Sequence, residues 1–218
     1  MPLAQKPVLA PQVLMMSESS VHRHAVETMI CRDFEQHYGA QITSFMPDLM
    51  GLKNDRAEIV AALGLRDLAG NQSYLEHYLD SPIEKSLSDV LVQSVKRDTL
   101  MEIGNFAVTE TGAGRWLITA LTAVLTAMGK EWAVFTCRPE LRNAFKRLGV
   151  ELIDLGEAHI ERLPVQDQTA WGRYYDKMPH VMAANVKQSG LALRKARTQD
   201  LALDQLWHNA EAYSLDAA

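Results

Sequence analysis

Thr99–Leu155 reads TLMEIGNFAVTETGAGRWLITALTAVLTAMGKEWAVFTCRPELRNAFKRLGVELIDL. Its apolar run Leu100–Val108 gives way to Gly112-Ala113-Gly114, and helical spacing resumes at Arg115. That order predicts a strand over 100–108, a glycine loop and a helix over Arg115–Met128, with Gly129 as the left-handed residue after its last turn. Trp132–Cys137 reads as a strand buried on both faces, because its apolar residues do not alternate with polar ones. Pro139–Leu148 reads as a helix with Pro139 in the first turn and Gly149 after the last, and Val150–Leu155 as a further strand. Small residues just before a helix leave its first N–H groups aimed at one point, which is an anion site. Gly112 and Gly114 are therefore the first binding candidates. A tight turn without a ligand is the other reading.

Upstream of this unit, Val26, Met29, Ile30 and Phe34 form an apolar stripe that predicts a helix over 19–38, ended by Gly39. Ile42–Leu52 and Ala57–Leu65 read as strands joined by the turn Lys53–Arg56. Asn71–Tyr78 reads as a short amphipathic piece, and Asp80-Ser81-Pro82 opens another helix. Downstream, Trp171–Tyr175 and His180–Val186 suggest one more strand or hairpin, and Leu191–Tyr213 a peripheral helix. Antiparallel strands followed by strand–helix–strand–helix–strand predict an α+β class built on a mixed sheet. The loop lacks the G-x-G-x-x-G spacing and the later acidic residue of a dinucleotide-binding fold. The expected organisation is a poorly ordered lead-in over 1–18, a main domain over 19–186 and a helical extension over 187–218.

The 218 residues, 47% hydrophobic and 22% charged, suffice for one core. A net charge of −5 argues against a general nucleic-acid binder. Cys31 and Cys137 are too far apart in sequence for a metal motif, and two buried or half-buried thiols in a reducing compartment are expected. The histidines show no ligand spacing, so no metal is expected. The first residues lack a secretory signal pattern and no run reaches the ~18 apolar residues of a membrane span. A cytoplasmic protein without stable membrane insertion is the resulting expectation.

Thr109-Glu110-Thr111-Gly112-Ala113-Gly114 resembles the pyrophosphate-binding turn of the GNAT superfamily of acyl-CoA-dependent N-acyltransferases, with Thr109 in place of the usual Arg or Gln. Phe145-Lys146-Arg147-Leu148-Gly149-Val150 resembles the end of that family's next helix, with Phe145 where a tyrosine often serves as general acid. Glu102-Ile103-Gly104-Asn105-Phe106-Ala107-Val108 is similar to the E-x-S-R-F-A-V strand of acyl-homoserine-lactone synthases, with Asn105 replacing the arginine. Taken with YLDSPIEKSLS, GAGRWL, RNAFKRLG and WGRYYD, the pattern over about residues 20–185 most resembles the thermostable hemolysin family. These resemblances imply a GNAT-like fold, a central, mostly antiparallel sheet flanked by helices.

They also imply acyl transfer from an acyl-CoA or acyl-carrier-protein thioester to a small amine or amino-acid acceptor. The open strand Phe106-Ala107-Val108 and the amides of Gly112, Ala113 and Gly114 would hold the thioester's arm and phosphates. Arg115 would add positive charge there, or else form a solvent salt bridge. Glu102, on the strand leading to the loop, is the candidate carboxylate for deprotonating the amine, and an outward-facing or Arg115-paired glutamate is the alternative. Asn105 either orients substrate or closes a strand-end hydrogen bond. Arg138, Arg142, Lys146 and Arg147 suit the CoA 3′-phosphate or an acidic carrier protein, or form a solvated face. Tyr74, Tyr78, Trp171, Tyr174 and Tyr175 line a pocket or pack the core. A membrane-acting hemolysin and a catalytically silent acyl-CoA-binding domain are the competing functions.

Overall fold

The computed structural model describes residues 9–215. A seven-stranded sheet runs in the order β1-β2-β3-β4-β5-β7-β6. Its strands are β1 (Gln12–Met16), β2 (Asp48–Lys53), β3 (Ile59–Asp67), β4 (Leu100–Val108), β5 (Trp132–Cys137), β6 (Ile153–Glu157) and β7 (His180–Asn185). Neighbouring strands are antiparallel except β4 and β5. The helices are α1 (Arg23–Tyr38), α2 (Ile83–Leu91), α3 (Ala113–Ala127), α4 (Pro139–Arg147), the single turn α5 (Val165–Gln168), α6 (Val186–Gln199) and α7 (Leu201–Leu215). This is the mixed, mostly antiparallel sheet flanked by helices that the sequence predicts.

Two cores hold it. On one face α3 buries Leu117, Ile118, Leu121 and Val124 against Met50, Leu63 and Ile103 of the sheet. On the other, α1 buries Val26, Ile30 and Phe34 against Leu49, Ala62 and Ala107, while α2 covers the end of the sheet at Leu100 and Val134. The stripe read from α1 is the face that packs, and Gly39 (φ 65°) ends the helix in the left-handed region. Cys137 is buried and Cys31 half-buried, both as free thiols.

Four sequence expectations need correction. Residues 12–16 of the expected lead-in are β1, paired along its length with β2; residues 1–8 lie outside the described part. The strand expected from Ile42 begins only at Asp48. Residues ahead of it lie flat on the sheet, where Arg23 donates to the carbonyls of Met46 (2.8 Å) and Pro47 (2.5 Å) and Met46 N–H donates to Asn105 Oδ1 (3.0 Å). Two glycines leave room for this approach. Gly64 and Gly104 face each other across β3 and β4, and a Cβ at either would come within 2.6 Å or 2.5 Å of Met46.

Trp171–Tyr175 forms 3₁₀ turns rather than a strand, tied to the end of α1 by Arg173 N–H to Tyr38 O (2.8 Å) and Gln41 N–H to Ala170 O (2.7 Å). The C-terminal helices are not peripheral. α7 packs along α3 and reaches β1, burying Leu203, Leu206 and Ala210, with Trp207 beneath the Arg197 guanidinium at 3.9 Å. Among the described residues no helix is long and apolar enough to cross a membrane.

Candidate functional site

The sheet is split at its centre. β4 and β5 pair from Leu100↔Trp132 to Ile103↔Phe135 and no further, although both strands continue. The cause lies at Asn105, whose φ of 49° bends β4, with a register shift between Ala62 and Gly64 on β3. Beyond this bulge β4 pairs again with β3, at Ala107 and Val108, and so leaves β5. Phe106–Val108 thus present a backbone edge without a strand partner toward the gap.

The gap opens into a cavity of ≈ 410 Å³. Glu102, Asn105, Phe106, Val108, Gly114 and Arg138 all line it. Of the other sequence candidates, Ala107 packs on the α1 side of the sheet and Ala113 in the α3 core. The aromatic residues of the WGRYYD motif form part of the cavity wall: Trp171, Tyr174 and Tyr175 contact one another, Tyr174 stacks on Phe34, and Tyr175 shares a hydroxyl–hydroxyl hydrogen bond with Tyr78. Burial raises the phenols of Tyr78 and Tyr175 and pushes Tyr174 up to about 12, so these rings are neutral at physiological pH.

Glu102 is fully buried, 0% exposed, and faces inward. Its Oε2 accepts from Tyr74 N–H (3.1 Å) and Arg66 Nη1 (3.4 Å). Oε1 has no hydrogen-bond partner. Burial pushes this carboxyl above the usual carboxylate range, against the opposing pull of Arg66, the Tyr74 amide and the Ser73 hydroxyl. A half-satisfied carboxylate with a raised pKa at a cavity wall is equipped to accept a proton. The sequence had left its facing open and did not single out Arg66 or the Tyr74 amide.

Asp33 was missed entirely. It sits in the buried face of α1 beside Phe34, only 5% exposed. An acidic residue inside the stripe formed by Val26, Met29, Ile30 and Phe34 was the available signal. Its Oδ1 lies 3.3 Å from His37 Nδ1, but that nitrogen is directed at the Asp33 carbonyl (2.9 Å), and Oδ1 makes no hydrogen bond. Burial raises this carboxyl too, with His37 and the Val108 amide pulling the other way.

The basic cluster divides. Arg142, Lys146 and Arg147 lie at the surface. The Arg138 side chain, 11% exposed, turns inward and lies over the rings of Tyr38 (4.4 Å) and Tyr174 (5.6 Å). Phe145 is buried in a stack on Phe135, ring centroids 5.1 Å apart.

At the loop, Gly112 (φ 88°) is the residue before α3, a conformation that favours glycine. Ala113 N–H donates to Glu110 O and Arg115 N–H to Gly112 O, each at 3.1 Å, so these two amides are already engaged. Gly114 lines the cavity, and a Cβ there would meet only Val108 Cγ2, at 3.9 Å. The Arg115 side chain points away to Asp200 (3.0 Å), its alternative reading, which also rules out pairing with Glu102.

A family model described as thermostable hemolysin matches residues 16–190. Comparison with curated proteins returns no match. Among solved structures the chain is similar to FeeM, an N-acyl amino acid synthase from uncultured soil microbes, at 15% identity and a TM-score of 0.58, covering 86% of this chain and 98% of that one. It is similar to BjaI, a CoA-dependent acyl-homoserine lactone synthase solved with SAM and isopentyl-CoA, at 13% identity and a TM-score of 0.57, covering 85% and 89%. It is also similar to the AHL synthase LasI, at 11% identity and a TM-score of 0.55, covering 85% and 95%. At these identities the structural likeness shows a shared fold alone.

Proposed function

The chain belongs to the thermostable hemolysin family, and on that premise we propose that it is an N-acyltransferase, moving an acyl group from a CoA or carrier-protein thioester to a small primary amine. One observation carries this reading: a single cavity joins a backbone edge without a strand partner, the start of α3 and a buried carboxylate. Each answers a separate requirement of thioester aminolysis. That the solved neighbours FeeM and BjaI are described as acyl-transferring synthases supports it.

The donor's amide-bearing arm lies along the Phe106–Val108 edge, where backbone groups fix it and polarise the thioester carbonyl. If the donor is CoA, its pyrophosphate meets Gly114 at the N-terminus of α3. Glu102 removes a proton from the acceptor ammonium, directly or through one water, because only the neutral amine attacks. The C–N bond forms and the C–S bond breaks. Of the two protons that the ammonium loses, one leaves on the thiol and one passes to solvent. Phe145 cannot act as the acid, so the thiolate takes its proton by way of Glu102 or water.

The lytic phenotype in the family's name requires no membrane-spanning helix under this reading, since a surface-active acylated product would suffice. Calorimetric titration with CoA and a series of acyl-CoAs, repeated on Gly114→Asp, tests the donor site. The added carboxylate meets open space in the fold, so lost binding with an unchanged melting temperature is expected. Equal binding by the variant refutes the loop assignment, and absence of N-acyl product from both CoA and carrier-protein donors refutes the function.

A further inference from the structure

Among the described residues, four buried side-chain atoms lack a hydrogen-bond partner: Asp33 Oδ1, Glu102 Oε1, Arg138 Nε and Arg138 Nη1. All four belong to residues that line the one cavity. Polar atoms left unpaired in a buried position are costly, which keeps them rare in native folds. Here they line one cavity and carry both signs of charge.

Arg138 is the decisive member. It stands just past the end of β5, as the residue before α4. Tyr38 and Tyr174 hold its guanidinium, while Nε and Nη1 make no hydrogen bond. Glu140 Oε2 is the nearest counter-charge at 3.6 Å from Nε, outside hydrogen-bond range, and the other Glu140 oxygen is held by Lys177. The guanidinium is thus oriented and left with free donors. The charges of both Asp33 and Arg138 act on the Tyr38 phenol, and both residues line the cavity. A plain amine would meet the carboxylates and leave Arg138 bare, and a plain carboxylic acid would do the reverse. A zwitterion meets both.

Resting on the acyl-transfer reading above, we propose that the acceptor is an α-amino acid, its carboxylate received by Arg138 and its amine by Glu102. Acylation removes the amine's charge and keeps the carboxylate, so the product loses its attraction to Glu102. That asymmetry favours release after transfer.

The test uses the full chain with an acyl-CoA series and the proteinogenic L-amino acids, each set beside its carboxamide and its decarboxylated amine, with N-acyl products read by mass spectrometry. Amino acids should outperform both analogues by roughly 100-fold or more in kcat/KM, the scale of leaving a buried charge unpaired. Arg138→Met should lower the amino-acid-to-amine ratio by roughly 100-fold, and Arg138→Lys should restore part of it. Amines or carboxamides accepted as readily as amino acids would overturn the proposal. So would Arg138→Met lowering all acceptors alike, the mark of a purely structural residue. If no acceptor of any class is acylated, the transferase reading fails on its own, and titration of leucine and phenylalanine into the CoA-saturated protein decides the site. Binding that Arg138→Met abolishes supports an amino-acid pocket. No binding leaves the four atoms to ordered water and overturns it.

Discussion

Gly64 and Gly104 sit opposite each other in β3 and β4, yet the same substitution at each should have very different costs. Both lie beneath Met46. An alanine Cβ at Gly104 would meet Met46 Cε at 2.5 Å, the far end of a side chain that can turn away. Moving it costs about 0.5–1.5 kcal/mol, offset by the ~0.5–1 kcal/mol that alanine gains over glycine in a strand. Gly104→Ala should therefore stay within about 1 kcal/mol of wild type. At Gly64 the new Cβ would meet Met46 Cβ at 2.6 Å, Cγ at 2.7 Å and Asn105 Oδ1 at 2.9 Å. Cβ cannot rotate away, so the chain before β2 must lift. Overpacking contributes about 1–3 kcal/mol, and loss of the Met46 N–H to Asn105 bond a further ~0.5–1.5 kcal/mol. The sum, about 2 kcal/mol once the same alanine gain is subtracted, lowers the melting temperature by roughly 4–8 °C in a chain of this size. Urea denaturation of both variants, alone and with Met46→Ala, measures it. Met46→Ala should relieve whatever Gly104→Ala costs and leave the Gly64→Ala penalty standing, because alanine keeps the offending Cβ. Equal penalties at the two glycines, or rescue of Gly64→Ala by Met46→Ala, would refute the reasoning.

Glu102→Gln should abolish most acyl transfer, by about 10²–10⁴-fold, while stabilising the fold at neutral pH. Because burial raises the carboxyl pKa, the folded state holds that proton more tightly than the unfolded chain. Its contribution is best below the unfolded pKa and is lost as pH rises through the folded one. The melting-temperature advantage of Glu102→Gln should thus grow as pH rises above the usual carboxylate range, and a constant or shrinking difference would contradict the burial argument. Leu206→Ala, at a fully buried position of α7, should cost about 2–5 kcal/mol in denaturant unfolding; a loss below about 0.5 kcal/mol, the scale of a surface position, would mean that the C-terminal helices do not share the core.

The limits of β4 and β5 were legible because each is an apolar run bounded by polar or glycine punctuation. The helices α3 and α4 were legible through Gly129, Pro139 and Gly149, which restrict the backbone on their own. β1 was not, since Gln12–Met16 becomes a strand only through its register with β2, a contact some forty positions away in sequence. The insertion of β7 between β5 and β6 is hidden for the same reason. At the site, the sequence pointed to Glu102 and Arg138 but could not orient them, because facing depends on the bulge at Asn105 and the turn out of β5. Asp33 was marked by polarity in an apolar stripe. Arg66, one polar residue near a strand end, carried no mark until its partner was placed.

The open edge of β4 lies in the middle of a sheet, and that location changes what can bind to it. An edge on the rim of a sheet invites another sheet and, with it, aggregation. This one opens into a cavity of ≈ 410 Å³ lined by the aromatic turns, so its approach is a slot within the fold. A broad ribbon from a neighbouring molecule cannot enter, whereas a slender chain with an occasional amide can thread the slot and add its hydrogen bonds like a borrowed strand. The split thereby acts as a size filter, giving the protein a backbone edge without a strand partner for recognition while shielding it from indiscriminate association.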